Sequence, residues 1–296
     1  MHFAAEPASS GASLMITTLD HTSVLVHDLD TGIAAYREVL AREPAFRSRT
    51  DGVESAFFIL DNATLRVMAP NSEGALGARV RAALAESGEG LWCLEFEVDD
   101  IEKSYRRLRR ISLQPDEVAD ITCSHLATGT TLSWRRSGLP AERSHGVPIR
   151  FSKLLSKAAR SAATGPATVR RMDLVVVATD EPERAVALYG ARLGLELIFD
   201  RTDAKSKSRL MQFACGDMLI EIVHRPDEGE ARKADRLWGI AWSVDDADAA
   251  RERLLRTGRN VSDVKAGAKP GTRVFTLRDG TCNVPTLFVQ HLAQAP

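Results

Sequence analysis

Cysteine is scarce in this sequence. Four occur in 296 residues, at Cys93, Cys123, Cys215 and Cys282, with no CxxC and no CxxH. That spacing excludes a disulfide framework and a structural zinc site, and it predicts a reduced, cytoplasmic location. A surplus of either charge is also missing: 39 Lys and Arg stand against 40 Asp and Glu, a net charge of -1. Nucleic acid is therefore excluded as the main partner, because phosphate binding needs a basic surplus on one face. No run approaches 18 consecutive apolar residues, which excludes a membrane-spanning helix. What the chain has is 44% hydrophobic and 27% charged residues, enough to bury a core and too apolar for disorder. Its length predicts two domains, at roughly 100–200 residues each.

Residues 1–14 carry neither a basic n-region nor an apolar h-region, so they do not read as a secretory signal. Their Ser, Ala, Gly and Pro content predicts a disordered leader, with Met15 as a second candidate start.

One pattern occurs four times: an apolar strand, an Asp, then an amphipathic helix. The segments are 22–40 with Asp28 and Asp30, 94–110 with Asp99 and Asp100, 174–193 with Asp180, and 240–258 with Asp245 and Asp246. The acids sit where an N-cap side chain accepts from the first free helix N–H groups. The steps between them are roughly 65–80 residues, the signature of an internal repeat. Each unit then continues into a hairpin. Its turns are Asp61-Asn62, the stretch near Gly129, Gly216-Asp217 and Asp279-Gly280, turn formers between β-rich runs. One further strand precedes each hairpin, as at 195–200. The unit reads β-α-β-β-β, and the fold class is α+β. A larger duplication overlies the smaller one: Leu91-Trp92-Cys93 and Leu237-Trp238-Gly239 each precede an alternating strand and Val-Asp-Asp. The expected organisation is a domain at 18–136, a basic linker at 137–169 and a second domain at 170–291.

Paired βαβββ units resemble the vicinal oxygen chelate superfamily, which includes glyoxalase I, extradiol dioxygenases, and fosfomycin and bleomycin resistance proteins. The resemblance covers nearly all of 18–291. It rests on Leu19-Asp20-His21 before the first strand, on the 130–140 run followed by 146–151, and on the closing run 269–290. It implies two half-barrel domains, the first glyoxalase-like. The superfamily spans isomerases, dioxygenases, transferases and pure binders, so fold alone does not choose among them.

The resemblance also implies where a divalent ion would sit. Ligands come from the first and last strand of each unit, as His, Glu or Gln. Those positions read His21 and Arg66 in unit one, Cys93 and Ser133 in unit two, Leu174 and Glu221 in unit three, and Gly239 and Thr286 in unit four. No pairing of units assembles three ordinary ligands, and Arg66 places a fixed cation where the family binds a cation. The expectation is no metal site and no cofactor, with a divalent metal as the alternative.

Strand alternation assigns the faces. His21 and Ser23 share one face with Cys93, Glu95, Arg66, Ser133 and Arg135. Arg66 and Arg135 would hold a carboxylate, and His21 or Glu95 would move a proton if burial brings its pKa toward neutrality. The alternative is that Glu95, Glu97, Arg66 and Arg135 pair only with one another. In the second domain the same face reads apolar, including Leu174, Gly239, Ala241 and Phe288, around a lone Glu221 that is a candidate base. The expected catalytic residues are thus His21, Glu95 and Glu221. The expected substrate contacts are Ser23, Arg66, Cys93, Ser133 and Arg135. Trp238 and Trp242 fall on the opposite face, as core. Between Arg143 and Met172 there are seven basic and no acidic residues. Phe151, Leu154, Leu155 and Ala158 there read as the apolar stripe of a basic helix packed across the domain boundary.

These residues predict a protein that binds a small organic acid or aromatic metabolite, with metal-independent acid–base chemistry as an added step. A metal-dependent glyoxalase- or dioxygenase-like enzyme and a non-catalytic drug-sequestering protein are the rivals. The expected partner is a small-molecule ligand, and the chain reads as a monomer or a homodimer.

Overall fold

The computed structural model describes residues 16–156, 162–226 and 234–292. They form two sheets of eight strands each. The first sheet contains β1 (Ile16–Leu25), β2 (Phe46–Thr50), β3 (Val53–Ile59), β4 (Thr64–Pro70), β5 (Gly90–Val98), β6 (Ala119–Ser124), β7 (Thr131–Leu139) and β8 (Ile149–Leu154). The second contains β9 (Arg171–Ala178), β10 (Glu196–Thr202), β11 (Arg209–Cys215), β12 (Met218–His224), β13 (Arg236–Ser243), β14 (Lys265–Ala266), β15 (Thr272–Leu277) and β16 (Thr286–His291). The orders are β2-β3-β4-β1-β5-β8-β7-β6 and β10-β11-β12-β9-β13-β16-β15-β14. The second repeats the first strand for strand, so the duplication read from sequence is present in the pairing.

Helices α1 (Leu29–Leu40), α3 (Ile101–Arg110), α4 (Pro182–Val186) and α5 (Ala247–Arg256) follow the first strand of each module. An additional helix, α2 (Ala75–Ser87), joins the first two modules and has no counterpart among the described residues of the second half. Helix α1 buries Leu29, Ile33, Tyr36, Val39 and Leu40, the three-to-four spacing of one helix face. Three helices begin on the expected acids: Asp28 accepts from the Thr31 N–H, Asp100 from Lys103 and Asp246 from Ala249. The third module departs from the rule. Glu181 is the N-cap of α4, no side chain caps it, and Pro182 opens the helix, since proline has no N–H to satisfy there. That helix then runs into a π-turn at Ala187–Arg192.

The alternate residues of the central strands pack outward on these helices. Leu19, Val24, Phe96 and Val98 belong with Val175, Val177, Ile240 and Trp242 to one hydrophobic core that runs through both sheets. Polar ties cross the same boundary: Asn62 donates to the Met172 carbonyl at 2.8 Å and accepts from the Met172 N–H at 3.0 Å. Tyr36 donates to the Thr281 carbonyl, and Arg259 pairs with Glu38.

Two sequence expectations need correction. The segment read as linker contains β8, which pairs in parallel with β5 and is the last strand of the second module. The basic-helix reading therefore fails at Phe151 and Leu154, which are strand residues; Lys157, Ala158 and Arg160 lie outside the described residues. The reason is that an apolar-basic alternation of six residues fits a half-buried strand as well as a helix. Phe288 also changes face: it stacks on Phe275 in the shared core.

The first sheet curls until its edges meet. Ser48 of β2 bridges His125, just beyond β6, and the Leu126 N–H donates to the Arg47 carbonyl at 2.8 Å. The result is a nearly closed barrel. In the second sheet β10 is exposed along its whole length, and β14 is only two residues long.

Candidate functional site

The inner face of the first barrel is set by register. Across adjacent strands His21 stands opposite Glu95, Glu95 opposite Arg150, and Arg150 opposite Gly138. One step along, Cys93 stands opposite Ser23, Ser23 opposite Arg66, and Arg66 opposite Phe57. Arg136 joins from β7, opposite Ser152. Gly138 matters here because it presents no side chain beside Arg150; a Cβ added there would meet the Asp116 carboxylate at 2.9 Å.

Glu95 is the centre of the cluster and is fully buried. Its Oε1 accepts from Arg136 Nε at 2.8 Å. Its Oε2 lies 3.2 Å from His21 Nε2 and 3.9 Å from an Arg150 Nη. Burial alone would raise its pKa; the Arg136 charge, His21 and Arg150 outweigh that and hold the carboxyl well below its ordinary range. His21 is buried as well. Its Nδ1 meets Asp20 at 2.7 Å, while its Nε2 contact with Glu95 is too poorly aligned to count as a hydrogen bond. Burial would depress its pKa, but the Glu95 charge and the Asp20 hydrogen bond raise it above the ordinary histidine value. The two carboxylates thus favour the protonated form of the ring.

Arg66 is in a different situation. Its Nε and Nη2 both donate to Ser55 Oγ, and its guanidinium lies over the Phe57 ring at 5.2 Å. Burial, then repulsion from Arg136 and Arg150, lowers its pKa to about 10. Arg150 lies over Trp92 at 5.2 Å, and one Nη is buried without a hydrogen-bond partner. Ser23 Oγ and Trp134 Nε1 are likewise buried without one.

Arg66, Arg136, Arg150 and Trp134 border a cavity of about 290 Å³, whereas His21, Ser23 and Glu95 lie behind its lining. Arg66, Arg136 and Arg150 supply its charged wall. Phe57, Ile121, Cys123 and Trp134 supply its apolar wall, and Asp51, Arg79, Asp116 and Glu117 stand at its exposed mouth.

The structure brings His21, Ser23, Arg66, Cys93 and Glu95 to one face. Cys93 is a buried thiol whose pKa burial pushes up, which leaves it without thiolate character. The ligand-type position of the second module is Glu95, opposite His21, rather than Cys93. Ser133 and Arg135 are corrections. Arg135 turns away to Glu102 and Asp120, and Ser133 bonds Ser156 and Thr122 near the sheet edge. It is Trp134 and Arg136 that face inward. A one-residue offset in the assumed register inverts every side chain of a strand. Thr286 stands opposite Ile240, on the core side, and donates to the Val284 carbonyl. Glu221 lies on the other sheet from His21 and accepts from Gln212 at 2.8 Å; burial raises its pKa. Sequence reasoning missed Arg136, Arg150 and Asp20. Arg150 was hidden by its place in the presumed linker; Arg136 was visible as the neighbour of Arg135.

Asp20, His21 and Glu95 are the group of potential metal ligands among the described residues, with donor atoms within 4.8 Å of one another. The set does not fit a catalytic divalent ion. Asp20 and Glu95 engage opposite nitrogens of one ring, so an ion on His21 Nε2 and Glu95 would leave Asp20 as a supporting partner on Nδ1. Two protein donors then remain where three are usual. The neighbouring strands offer Arg66 and Arg150, cations that do not deprotonate to make room.

A family model for a glyoxalase-like domain matches residues 19–194. One for the glyoxalase/bleomycin resistance protein/dioxygenase superfamily matches 174–276. No curated relative matches the sequence. Among solved structures, a triple mutant of 4-hydroxymandelate synthase from Streptomyces coelicolor is similar with TM-score 0.68 at 13% identity, over 95% of this chain and 94% of that one. The Mn(II)-bound glyoxalase from Novosphingobium aromaticivorans has TM-score 0.64 at 14% identity, over 94% and 83%. The 2,3-dioxygenase LapB from Pseudomonas sp. KL28 has TM-score 0.63 at 14% identity, over 95% of each chain. At these identities the likeness shows the fold alone.

Proposed function

We propose a function from one premise: the chain belongs to the glyoxalase-like family, and so to the vicinal oxygen chelate superfamily, as a two-domain member. The first barrel binds a small organic acid. One observation carries this reading: Arg66 and Arg150 are buried beside a cavity, and among the described residues no carboxylate stands within hydrogen-bonding distance of either. A buried guanidinium without a counter-charge is costly, and a ligand carboxylate relieves that cost through charge-assisted, two-pronged hydrogen bonds. Phe57, Ile121 and Trp134 favour an apolar or aromatic body. In this reading His21 supports the charged wall from behind, with one ring nitrogen on Asp20 and the other beside Glu95. Four unpaired cysteines suit a reducing, cytoplasmic setting. No helix among the described residues is long and apolar enough to cross a membrane.

A metal-dependent enzyme is the second reading. The proximity of Asp20, His21 and Glu95 favours it, as do the similar structures of a Mn(II)-bound glyoxalase and a 2,3-dioxygenase; the guanidinium wall weighs against it. Calorimetry with aromatic carboxylates, paired with metal analysis of protein purified without added metal, separates the two. The organic-acid reading expects binding that Arg66→Met weakens at least tenfold and less than a stoichiometric amount of tightly bound metal. A stoichiometric divalent ion lost in His21→Ala would overturn it. Binding without turnover of any bound acid would leave a sequestering protein rather than an enzyme.

A further inference from the structure

We infer that the cavity of the first barrel is built for a dianion, a dicarboxylate or a phosphate monoester on a compact apolar body, with its two charges shared by Arg66 and Arg150. This rests on the organic-acid reading above and adds a charge count to it. The buried wall holds three guanidinium groups and one carboxylate. Glu95 is taken by Arg136 through the 2.8 Å hydrogen bond from Nε. His21 and Asp20 meet each other at 2.7 Å and do not border the cavity. Arg66 has only the Ser55 hydroxyl and the face of Phe57. Arg150 has the face of Trp92 and stands 3.9 Å from Glu95, beyond hydrogen-bonding distance. Two buried positive charges are therefore left over. A monoanion cancels one and leaves the other in a low-dielectric wall, where an uncompensated charge is most costly. A dianion cancels both.

The unpartnered donors agree with this count. The Arg150 Nη and the Trp134 Nε1 are buried, bond to nothing and belong to residues that border the cavity. They are donors, and anions are acceptors. The acids at the mouth do not change the balance at the base. Asp51 accepts from the N–H groups of Ala75 and Leu76, Glu117 accepts from Tyr105, and Asp51, Asp116 and Glu117 are exposed to water and salt. The volume of about 290 Å³ lies at the small end for ligand pockets, which limits the body to about one ring.

Calorimetry on the full chain at low salt tests this with benzoate, the three benzenedicarboxylates and phenyl phosphate. At least one dianion is expected to bind tenfold or more tightly than benzoate. If phenyl phosphate is the tight one, its affinity climbs as pH rises through about 6, where the second phosphate proton leaves, with no such climb for the dicarboxylates. A dicarboxylate as the tight one identifies the other source. Arg66→Met, or Arg150→Met should the first fail to fold, weakens the dianion more than benzoate and reduces the dianion preference to threefold or less. Benzoate binding as tightly as every dianion would overturn the dianion inference and leave the organic-acid reading standing. No binding by any of these probes would overturn both.

Discussion

Where His21, Glu95, Arg150 and Arg136 line the first sheet, the second sheet carries Leu174, Ala241, Leu287 and Val274 at the corresponding registers. Those four residues pack with Val289 into a small apolar cluster. At the register of Arg66 the second sheet has Glu221, paired across to Val176 as Arg66 is to Ser23. The strand order is the same in both. The first sheet closes around a cavity of about 290 Å³, whereas the depression beside Trp238 in the second holds about 30 Å³, room for about one water. One backbone arrangement thus accommodates either a charged wall or an apolar one. The fold has no need of the charges, and a cluster of buried ions that the scaffold does not require points to a ligand.

The largest effect expected comes from breaking the charged wall at its centre. Glu95→Gln leaves Arg136 buried without its hydrogen-bonded carboxylate and should cost about 3–5 kcal/mol in urea unfolding. A sharper test converts the first face into the second. His21→Leu, Glu95→Ala, Arg150→Leu and Arg136→Val, with Arg66→Met to remove the last cation, should keep the fold. Stability is expected to be unchanged or raised by about 1–4 kcal/mol, with anion binding lost. A protein that fails to fold would show that the ion cluster is structural.

Losing an N-cap should be smaller and blind to the site. Asp246→Ala removes the acceptor of the Ala249 N–H and should cost about 1 kcal/mol, with ligand affinity unchanged by calorimetry. The subtlest difference is in pH dependence. Glu95 has a lowered pKa, so its contribution is present above the ordinary carboxylate value of 4.5 and is lost as pH falls through its folded value. Glu221 has a raised pKa, so stability falls as pH rises from 4.5 through its folded value. Glu221→Gln should therefore flatten the urea midpoint above pH 4.5 and raise stability at neutral pH, opposite in sign to Glu95→Gln.

Much of the scaffold was legible in the sequence because its signals are local. An Asp before a helix with three-to-four apolar spacing, and turn residues between alternating runs, act over a few residues and need no knowledge of distant partners. Four such units in succession named the βαβββ module and its duplication. The site was legible only in part. His21, Glu95 and Arg66 were found because each stands on a clearly alternating strand. Arg135 was taken for Arg136 because the parity of β7 is decided by its pairing with β8, and β8 itself was read as linker.

The sequence by itself therefore determined the modules, their number and the chemistry available on each strand, since these follow from periodicity along the chain. Tertiary structure decided which charges meet. His21 and Glu95 are separated by 74 positions in the chain yet stand opposite each other, Arg150 arrives from a segment whose short alternation suits a strand or a helix equally, and the closure of β2 on β6 makes the space that the arginines border. Register between strands is a long-range property, and moving it by one residue exchanges the inside of the barrel for the outside.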